Sequence, residues 1–295
     1  MLWSCPTCRT PLSEAAGLVC ETCGKAGRVD GRLLDFSELT PRLNVGLGPV
    51  LQHVHERIGQ LYKDETSNPR VERALRRIAE QATGGLCVEV GAANGPMTPA
   101  LEDLFDEVVA LDHSESLLRG TLAKTRGARC VLANAQYLPL GGGSVDFVVL
   151  TEVLEHMVAP SQILLEIVRV LKPDGRVFIT VPNERTLNPF AVMKTKPPRN
   201  THVNFFDSIG LSQLLIRCGF EVVDIRTHNP RLKLGKVLRN PWRLRKLLPG
   251  LGKHVECVAR PAAEPLDCWQ DMLRHRGVSA TPQELRDVLG WEKRT

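Results

Sequence analysis

The stretch Leu86-Cys-Val-Glu89-Val-Gly91-Ala-Ala93-Asn-Gly95 decides the fold. An apolar, β-branched run gives way to small residues, and a helical pattern follows. Small residues there let the backbone approach a ligand at the carboxyl edge of a sheet, where doubly wound folds bind cofactors. Outward from this point the alternation repeats. Strands are predicted near 86–90, 107–111, 129–132, 145–150, 176–181, 220–225 and 254–260. Helices are predicted near 97–105, 115–124, 160–171 and 208–218. Lys172-Pro-Asp-Gly175 reads as a turn between helix and strand. The result is an α/β, doubly wound, mostly parallel seven-stranded sheet covered on both faces. No crossover helix is evident between the last two strands, which predicts an antiparallel edge pair.

The second strand ends Ala110-Leu111-Asp112, and a carboxylate there can accept hydrogen bonds from both ribose hydroxyls of an adenosine. Nicotinamide-binding domains place an acid similarly, about 20 residues after their glycine turn. Three observations separate the two. The turn is Gly-x-x-x-Gly, without the fingerprint that seats a pyrophosphate on a helix start. The third strand leads into Leu132-Ala-Asn134-Ala135-Gln-Tyr-Leu138-Pro139, with an amide placed to read an adenine edge. Neither Tyr62 nor Tyr137, the two tyrosines, begins a Tyr-x-x-x-Lys pair.

On these residues the run from Val88 to Ile179 resembles the class I S-adenosylmethionine-dependent methyltransferases, in the subgroup related to ubiquinone-biosynthesis O-methyltransferases. The matching pieces are Glu89-Val-Gly91-x-x-x-Gly95, Asp112, Asn134-Ala-x-x-Leu138-Pro139, Ser144-Val-Asp146-Phe147, Thr151-Glu-Val-Leu-Glu155-His156 and Leu171-Lys-Pro-Asp-Gly175. The resemblance implies a Rossmann-like domain over 84–262 and a cofactor site at Glu89, Gly91, Ala93, Gly95, Asp112, His113, Asn134, Ala135 and Thr151. In it Gly91 and Gly95 bracket the loop under the methionine part, and Asp112 holds the ribose. Asn134 and Ala135 flank the adenine, and Thr151 faces the sulfonium. Two positions depart from the family pattern: Ala93 stands for the usual middle glycine and Asn134 for the usual aspartate. His202, in Asn200-Thr-His202-Val-Asn-Phe-Phe206, is the first candidate for a general base and His156 the second. His113 stacks near adenine or faces solvent. The chain has Thr151-Glu-Val-Leu where enzymes that grip an exocyclic base amine carry Asn/Asp-Pro-Pro-Tyr/Phe, which counts against adenine or cytosine N-methylation.

Ahead of this domain lie Cys5-Pro-Thr-Cys8 and Cys20-Glu-Thr-Cys23. Two Cys-x-x-Cys turns present four thiolates to one tetrahedral ion, which predicts a structural zinc ribbon over 1–37 with no open coordination position. Such a short segment buries little core, and metal binding supplies the missing folding energy. The alternative, a redox pair, fits two matched pairs poorly. Residues 27–36 resemble the closing strand of the ribbon. Helical patterns over 38–83 read as a connector, with Asn68 as cap and Pro69 at a first helical position. A tail over 263–295 includes Thr281-Pro-Gln-Glu284, a helix-start pattern.

The 295 residues carry a net charge of +5, unevenly spread. Between Asp224 and Glu256 lie nine Lys/Arg and no acid, so the rest of the chain is mildly acidic. This basic segment, 226–253, interleaves with Leu, Val and Trp. It reads as a solvated lid, a membrane-surface element, a phosphate-contacting strip for RNA or a clamp on an acidic small substrate. Residues 1–37 carry four basic and four acidic side chains, a weak electrostatic footprint for RNA. The favoured acceptor is therefore a hydroxyl or carbon of a small or lipid-linked molecule. An rRNA or tRNA base methyltransferase is the runner-up, and a non-catalytic scaffold a further alternative. Five scattered cysteines, no secretory pattern at the start and no apolar run long enough to span a bilayer lead to a cytoplasmic expectation.

Overall fold

The computed structural model describes residues 2–40, 68–183, 202–230, 252–263, 267–276, 281 and 284–285. Helix α1, Pro69–Ala79, starts where Asn68 accepts a hydrogen bond from the Arg70 amide at 2.9 Å, with Pro69 in its first turn. The core alternation then runs β5 (Leu86–Val90), α2 (Thr98–Leu101), β6 (Glu107–Asp112), α3 (Glu115–Lys124), β7 (Arg129–Leu132), β8 (Val145–Thr151), α4 (Pro160–Val170) and β9 (Leu171–Pro182). Helix α5 (Ser208–Arg217), β10 (Phe220–Pro230), β11 (Gly252–Pro261) and α6 (Asp267–His275) follow.

Strand β5 lies parallel between β6 and β8, β7 continues beyond β6, and β9 lies beyond β8. The chain reverses its direction of winding at β5, so the carboxyl edge there is the crevice where such folds bind ligands. Strand β11 pairs antiparallel with β9, and β10 with β11, as the missing crossover helix predicts. Both faces are covered. Ala74 and Ile78 of α1 pack with Leu101, Phe105, Phe147 and Phe178 on one side. Ile163, Leu164 and Ile167 of α4 and Leu211 and Leu215 of α5 cover Val88, Val109, Leu150 and Ile179 on the other.

Three expectations are corrected. The helix predicted over 97–105 stops at Leu101. Residues after it close as turns, and Phe105 drops into the core with its ring 5.3 Å from that of Phe147. Lys172–Gly175 is not a free turn but a bulge inside β9: Leu171 pairs with Val145 and Arg176 with Phe147. Among the described residues the sheet has nine strands, not seven, because residues 28–35 leave the cysteine ribbon and join it.

That last difference has a physical reason. Strands β3 (Arg28–Asp30) and β4 (Leu33–Asp35) form a hairpin, and β4 runs parallel to β7 with Leu33 opposite Cys130 and Asp35 opposite Leu132. Without it β7 would present an unpaired edge. Residues 133–144 between β7 and β8 contain no helix, so the sheet face there would also be bare. Trp3, Leu12, Leu34 and Phe36 cover it, packed in one cluster with the fully buried Leu138 and Leu140. The first cysteine turn sits between two short strands, β1 (Trp3–Ser4) and β2 (Pro11–Leu12). In the tail, Trp269 and Cys268 of α6 donate to the Arg217 and Ile216 carbonyls at the end of α5. Thr281 and Glu284 make the reciprocal amide-to-side-chain bonds of a capping box, at 2.7 and 3.2 Å. Most of the 38–83 connector and of the basic segment 226–253 lies outside the described residues. Arg226, which is described, is paired with Asp224 at 2.8 Å.

Candidate functional site

The loop 91–95 is pinned from below and beside. The Gly91 and Ala92 amides donate to the Leu111 carbonyl at 2.8 and 3.0 Å, and Thr121 of α3 donates to the Ala93 carbonyl at 2.8 Å. Lys124 donates to the Asn94 carbonyl at 2.9 Å. Gly91 has φ +76°, and a Cβ there would lie 2.5 Å from a Val153 methyl carbon, so this position takes only glycine. Ala93 has φ +48°, a left-handed conformation that its methyl group makes costly. The turn tolerates the departure from glycine, under strain.

Asp112 ends β6 beside this loop. It is 6% exposed, and its carboxylate accepts the Ala93 and Ser114 amides, each at 2.9 Å. Those two bonds fix its plane and leave half of its acceptor capacity. His113 Nδ1 lies 3.4 Å from Asp112 Oδ1. Glu89, on the neighbouring strand, is buried and accepts from Thr98 Oγ1 at 2.6 Å. Burial, with the nearby Asp112 charge, pushes its carboxyl up to about 7 against the Thr98 bond. On the far side Asn134 closes a turn: its Oδ1 accepts the Gln136 amide at 2.9 Å, and its carbonyl accepts the Tyr137 amide. The amide oxygen expected to read adenine is thus half committed to its own loop. Thr151 ends β8, with its hydroxyl 3.8 Å from the Met97 sulfur. Strands β5, β6, β7 and β8 therefore bring Glu89, Gly91, Ala93, Gly95, Asp112, His113, Asn134, Ala135 and Thr151 to one rim of the sheet.

A second group sits just past β8. Residues Leu154–His156 form a single 3₁₀ turn, and the loop carrying His202 is stitched to it: the Val203 and Asn204 amides donate to the Glu155 carbonyl at 2.8 and 3.0 Å. The Asn204 side chain donates to the Leu154 carbonyl at 3.2 Å and also to that of Met157. This brings the His156 and His202 rings edge to face at 4.9 Å. His156 Nε2 lies 3.8 Å from the buried Glu155 carboxylate. One ligand atom from each of the three falls within 4.8 Å of the others. A carboxylate and two imidazoles so gathered are groups that can carry a proton or hold a cation.

Sequence reading missed Glu152. It follows β8 with φ +55°, a strained backbone for a glutamate. Its carboxylate meets His254 at 3.6 Å, Thr180 at 3.1 Å and Arg70 at 3.7 Å. Burial alone would raise it, but those partners hold it below the usual carboxylate range. The signal lies in the motif itself, Thr151-Glu152-Val-Leu, where this acid directly follows the strand.

At the other end of the chain the Cys5, Cys8, Cys20 and Cys23 sulfurs gather within 4.8 Å of one another. Cys5 and Cys23 sulfurs are 3.9 Å apart, close to the ~3.8 Å edge of a tetrahedron with 2.3 Å Zn–S bonds. Their acidities are driven apart. Lost hydration and the sulfurs of Cys23 and Cys5 push Cys8 up to about 12, while amide and thiol donors outweigh burial to bring Cys20 down to about 6. Four thiols so crowded cannot all ionise without a cation among them. The donor set fits zinc.

Comparison with known proteins agrees with the geometry. Residues 88–179 match the family model described as a methyltransferase domain. A protein from Mycolicibacterium smegmatis, named a probable S-adenosylmethionine-dependent methyltransferase, is 30% identical over 155 residues, 52% of this chain and 59% of its own length. A demethylmenaquinone methyltransferase from Clavibacter sepedonicus is 35% identical over 109 residues, 36% of this chain and 44% of its own. The chain thus spans less than two thirds of these relatives. Among solved structures, an S-adenosylmethionine-dependent methyltransferase from Thermotoga maritima superposes with TM-score 0.54 at 18% identity, covering 71% of this chain and 99% of its own. The fold is the Rossmann-like methyltransferase fold.

Proposed function

We propose that this chain is an S-adenosylmethionine-dependent methyltransferase acting on a hydroxyl, or a carbon, of a small or lipid-linked acceptor, with zinc held by Cys5, Cys8, Cys20 and Cys23 as a structural staple. The observation that carries the reading is Asp112. Its carboxylate is fixed at the sheet rim by the Ala93 and Ser114 amides, beside a glycine loop that would clash with any larger residue at Gly91. When bound, the cofactor supplies an electrophilic methyl on a sulfonium that leaves as a neutral thioether. The chain then has four tasks. Gly91 and Gly95 let the backbone close on the methionine part, and Asp112 accepts from the ribose. Asn134 and Ala135 border the adenine, and Thr151 faces the reacting end.

For a hydroxyl acceptor, His202 would take the acceptor's proton as general base. Glu155 lies beside His156, whose ring meets that of His202 edge to face. Val158, Phe205 and Ile209, flanking these loops, are 55%, 66% and 63% exposed, which supports an apolar acceptor. The quinone named for the Clavibacter relative supports the same class. The RNA reading gains no support from the ribbon, whose second hairpin is committed to the edge of the sheet. With demethylmenaquinone as trial acceptor, His202→Ala should lower turnover about 10²–10⁴-fold and leave S-adenosylhomocysteine affinity within about twofold. Unchanged turnover removes the base role.

A further inference from the structure

The two cysteine turns share one backbone course but differ in the residue that closes it, Arg9 against Gly24. In the second, the Gly24 amide donates to the Cys20 carbonyl at 2.8 Å and Gly24 takes φ +70°. In the first, the Arg9 amide donates to the Cys5 carbonyl at 2.8 Å, and Arg9 takes φ +62°. An arginine thus occupies a left-handed position that its twin fills with glycine, a conformation its side chain makes costly. The Arg9 side chain accounts for it. Its guanidinium reaches across to Glu166 of α4 with two bonds, 3.1 and 2.7 Å, and to the Leu138 carbonyl at 3.4 Å. Glu166 is 4% exposed and accepts the Leu138 amide at 2.8 Å. Leu138 is therefore held at its carbonyl by Arg9 and, at 3.0 Å, by Arg169, and at its amide by the carboxylate that both arginines bind; Arg9 is the one of the two that ties this loop to the cysteine turn.

The ribbon grips the same loop at further points. The Ser4 amide donates to the Pro139 carbonyl at 3.1 Å and its hydroxyl to the Leu140 carbonyl at 2.9 Å. The Gly141 amide donates to the Leu2 carbonyl at 2.8 Å. At the near end, the Phe36 amide donates to the Leu132 carbonyl at 2.9 Å. Residues 133–137, with Asn134 and Ala135, are suspended between these two sets of bonds.

We infer that Arg9 is a positioning residue of the cofactor site, and that metal in the cysteine ribbon, by holding the Cys5–Arg9 turn in shape, sets the affinity for S-adenosylmethionine through the 134–138 loop. This rests on the proposed methyltransferase reading. The coupling is mechanical and local: thiolate cluster, turn, guanidinium, Leu138, adenine wall. It is also reciprocal, because binding free energies are linked: cofactor bound at the rim must tighten the metal by the factor that metal tightens the cofactor.

Arg9→Gly is the informative variant. Glycine relieves the left-handed strain and matches the second turn, so the ribbon keeps its metal. Arg169 still pairs with Glu166 at 2.8 Å, so that buried carboxylate is not left uncompensated. Titration calorimetry with S-adenosylhomocysteine on the zinc-loaded full chain should show affinity weakened about tenfold in Arg9→Gly, within the usual range of such couplings. Arg9→Lys, which keeps the charge without the fork, should fall between. Zinc content should stay equal in all three, and amide exchange should quicken over 134–141 in Arg9→Gly. Saturating S-adenosylhomocysteine should slow zinc loss to a chelator in wild type, by a factor that shrinks in Arg9→Gly. Equal affinity in wild type and Arg9→Gly, with no protection of zinc by the ligand, overturns the coupling and leaves the cofactor reading standing. No binding to zinc-loaded wild type overturns the cofactor reading and this inference with it.

Discussion

Glu89 is buried among apolar strands with its carboxyl raised from 4.5 to about 7, burial being the main cause. Between those values the folded chain holds a proton that the unfolded chain has released. Stability therefore falls as pH rises through that window and stays lower above it. Glu89→Gln keeps an acceptor for Thr98 and removes the penalty. Denaturant unfolding without ligand should show the variant more stable than wild type at pH 8, by at most about 3 kcal/mol, with the gap closing near pH 4. A gap independent of pH would contradict the raised value. At Ala93 the strain is steric. Ala93→Gly should stabilise the chain by about 0.5–1 kcal/mol, the left-handed cost less the extra freedom glycine has when unfolded. Equal or lower stability at the same pH would show that the turn is relaxed. Both positions were legible in the sequence as motif members, and Ala93 as a departure. What sequence could not supply was the Asn134 amide's commitment to its own turn or the 4.9 Å meeting of His156 and His202, since loop conformation and long-range approach leave no local pattern.

Among the elements, the strands were read most faithfully because apolar runs between turn signals have few other uses. Helix α1 shows the same: Asn68 and Pro69 are local signals and the cap forms as they predict. The failures share a cause. Residues 28–35 carry a hairpin pattern, Val-Asp-Gly-Arg-Leu, that reads equally well as the end of a ribbon. Only the bare edge of β7, nearly a hundred residues on, decides where it pairs. Helix α2 was overestimated because Leu104 and Phe105 keep helical spacing while serving as turn and core. A parallel pairing between elements so far apart makes a testable demand on cooperativity. Zinc-loaded protein should unfold in one thermal transition that includes the ribbon, and removing zinc should lower that transition by several degrees, about 2–4 °C for each kcal/mol lost. A ribbon that melts alone, with the remainder unchanged, would contradict the shared sheet.

At the scale of the whole molecule the chain is one sheet serving two sites. Its carboxyl rim gathers the glycine loop, Asp112, the 134–138 turn and the imidazole pair, and its β7 edge carries the four-cysteine segment that contacts that turn. The parts most exposed to tertiary context, the ribbon's attachment and the acceptor side, are those that sequence alone under-described. The glycine loop, Asp112, Asn134 and Thr151 were visible because each lies at or just past the end of a predicted strand. The most direct test is calorimetry of S-adenosylhomocysteine with wild type and Asp112→Ala. One molecule should bind per wild-type chain, and the variant should lose at least about tenfold in affinity, the worth of roughly one hydrogen bond to a charged group. Equal binding by the two proteins, or none by either, would place the cofactor elsewhere and end the account.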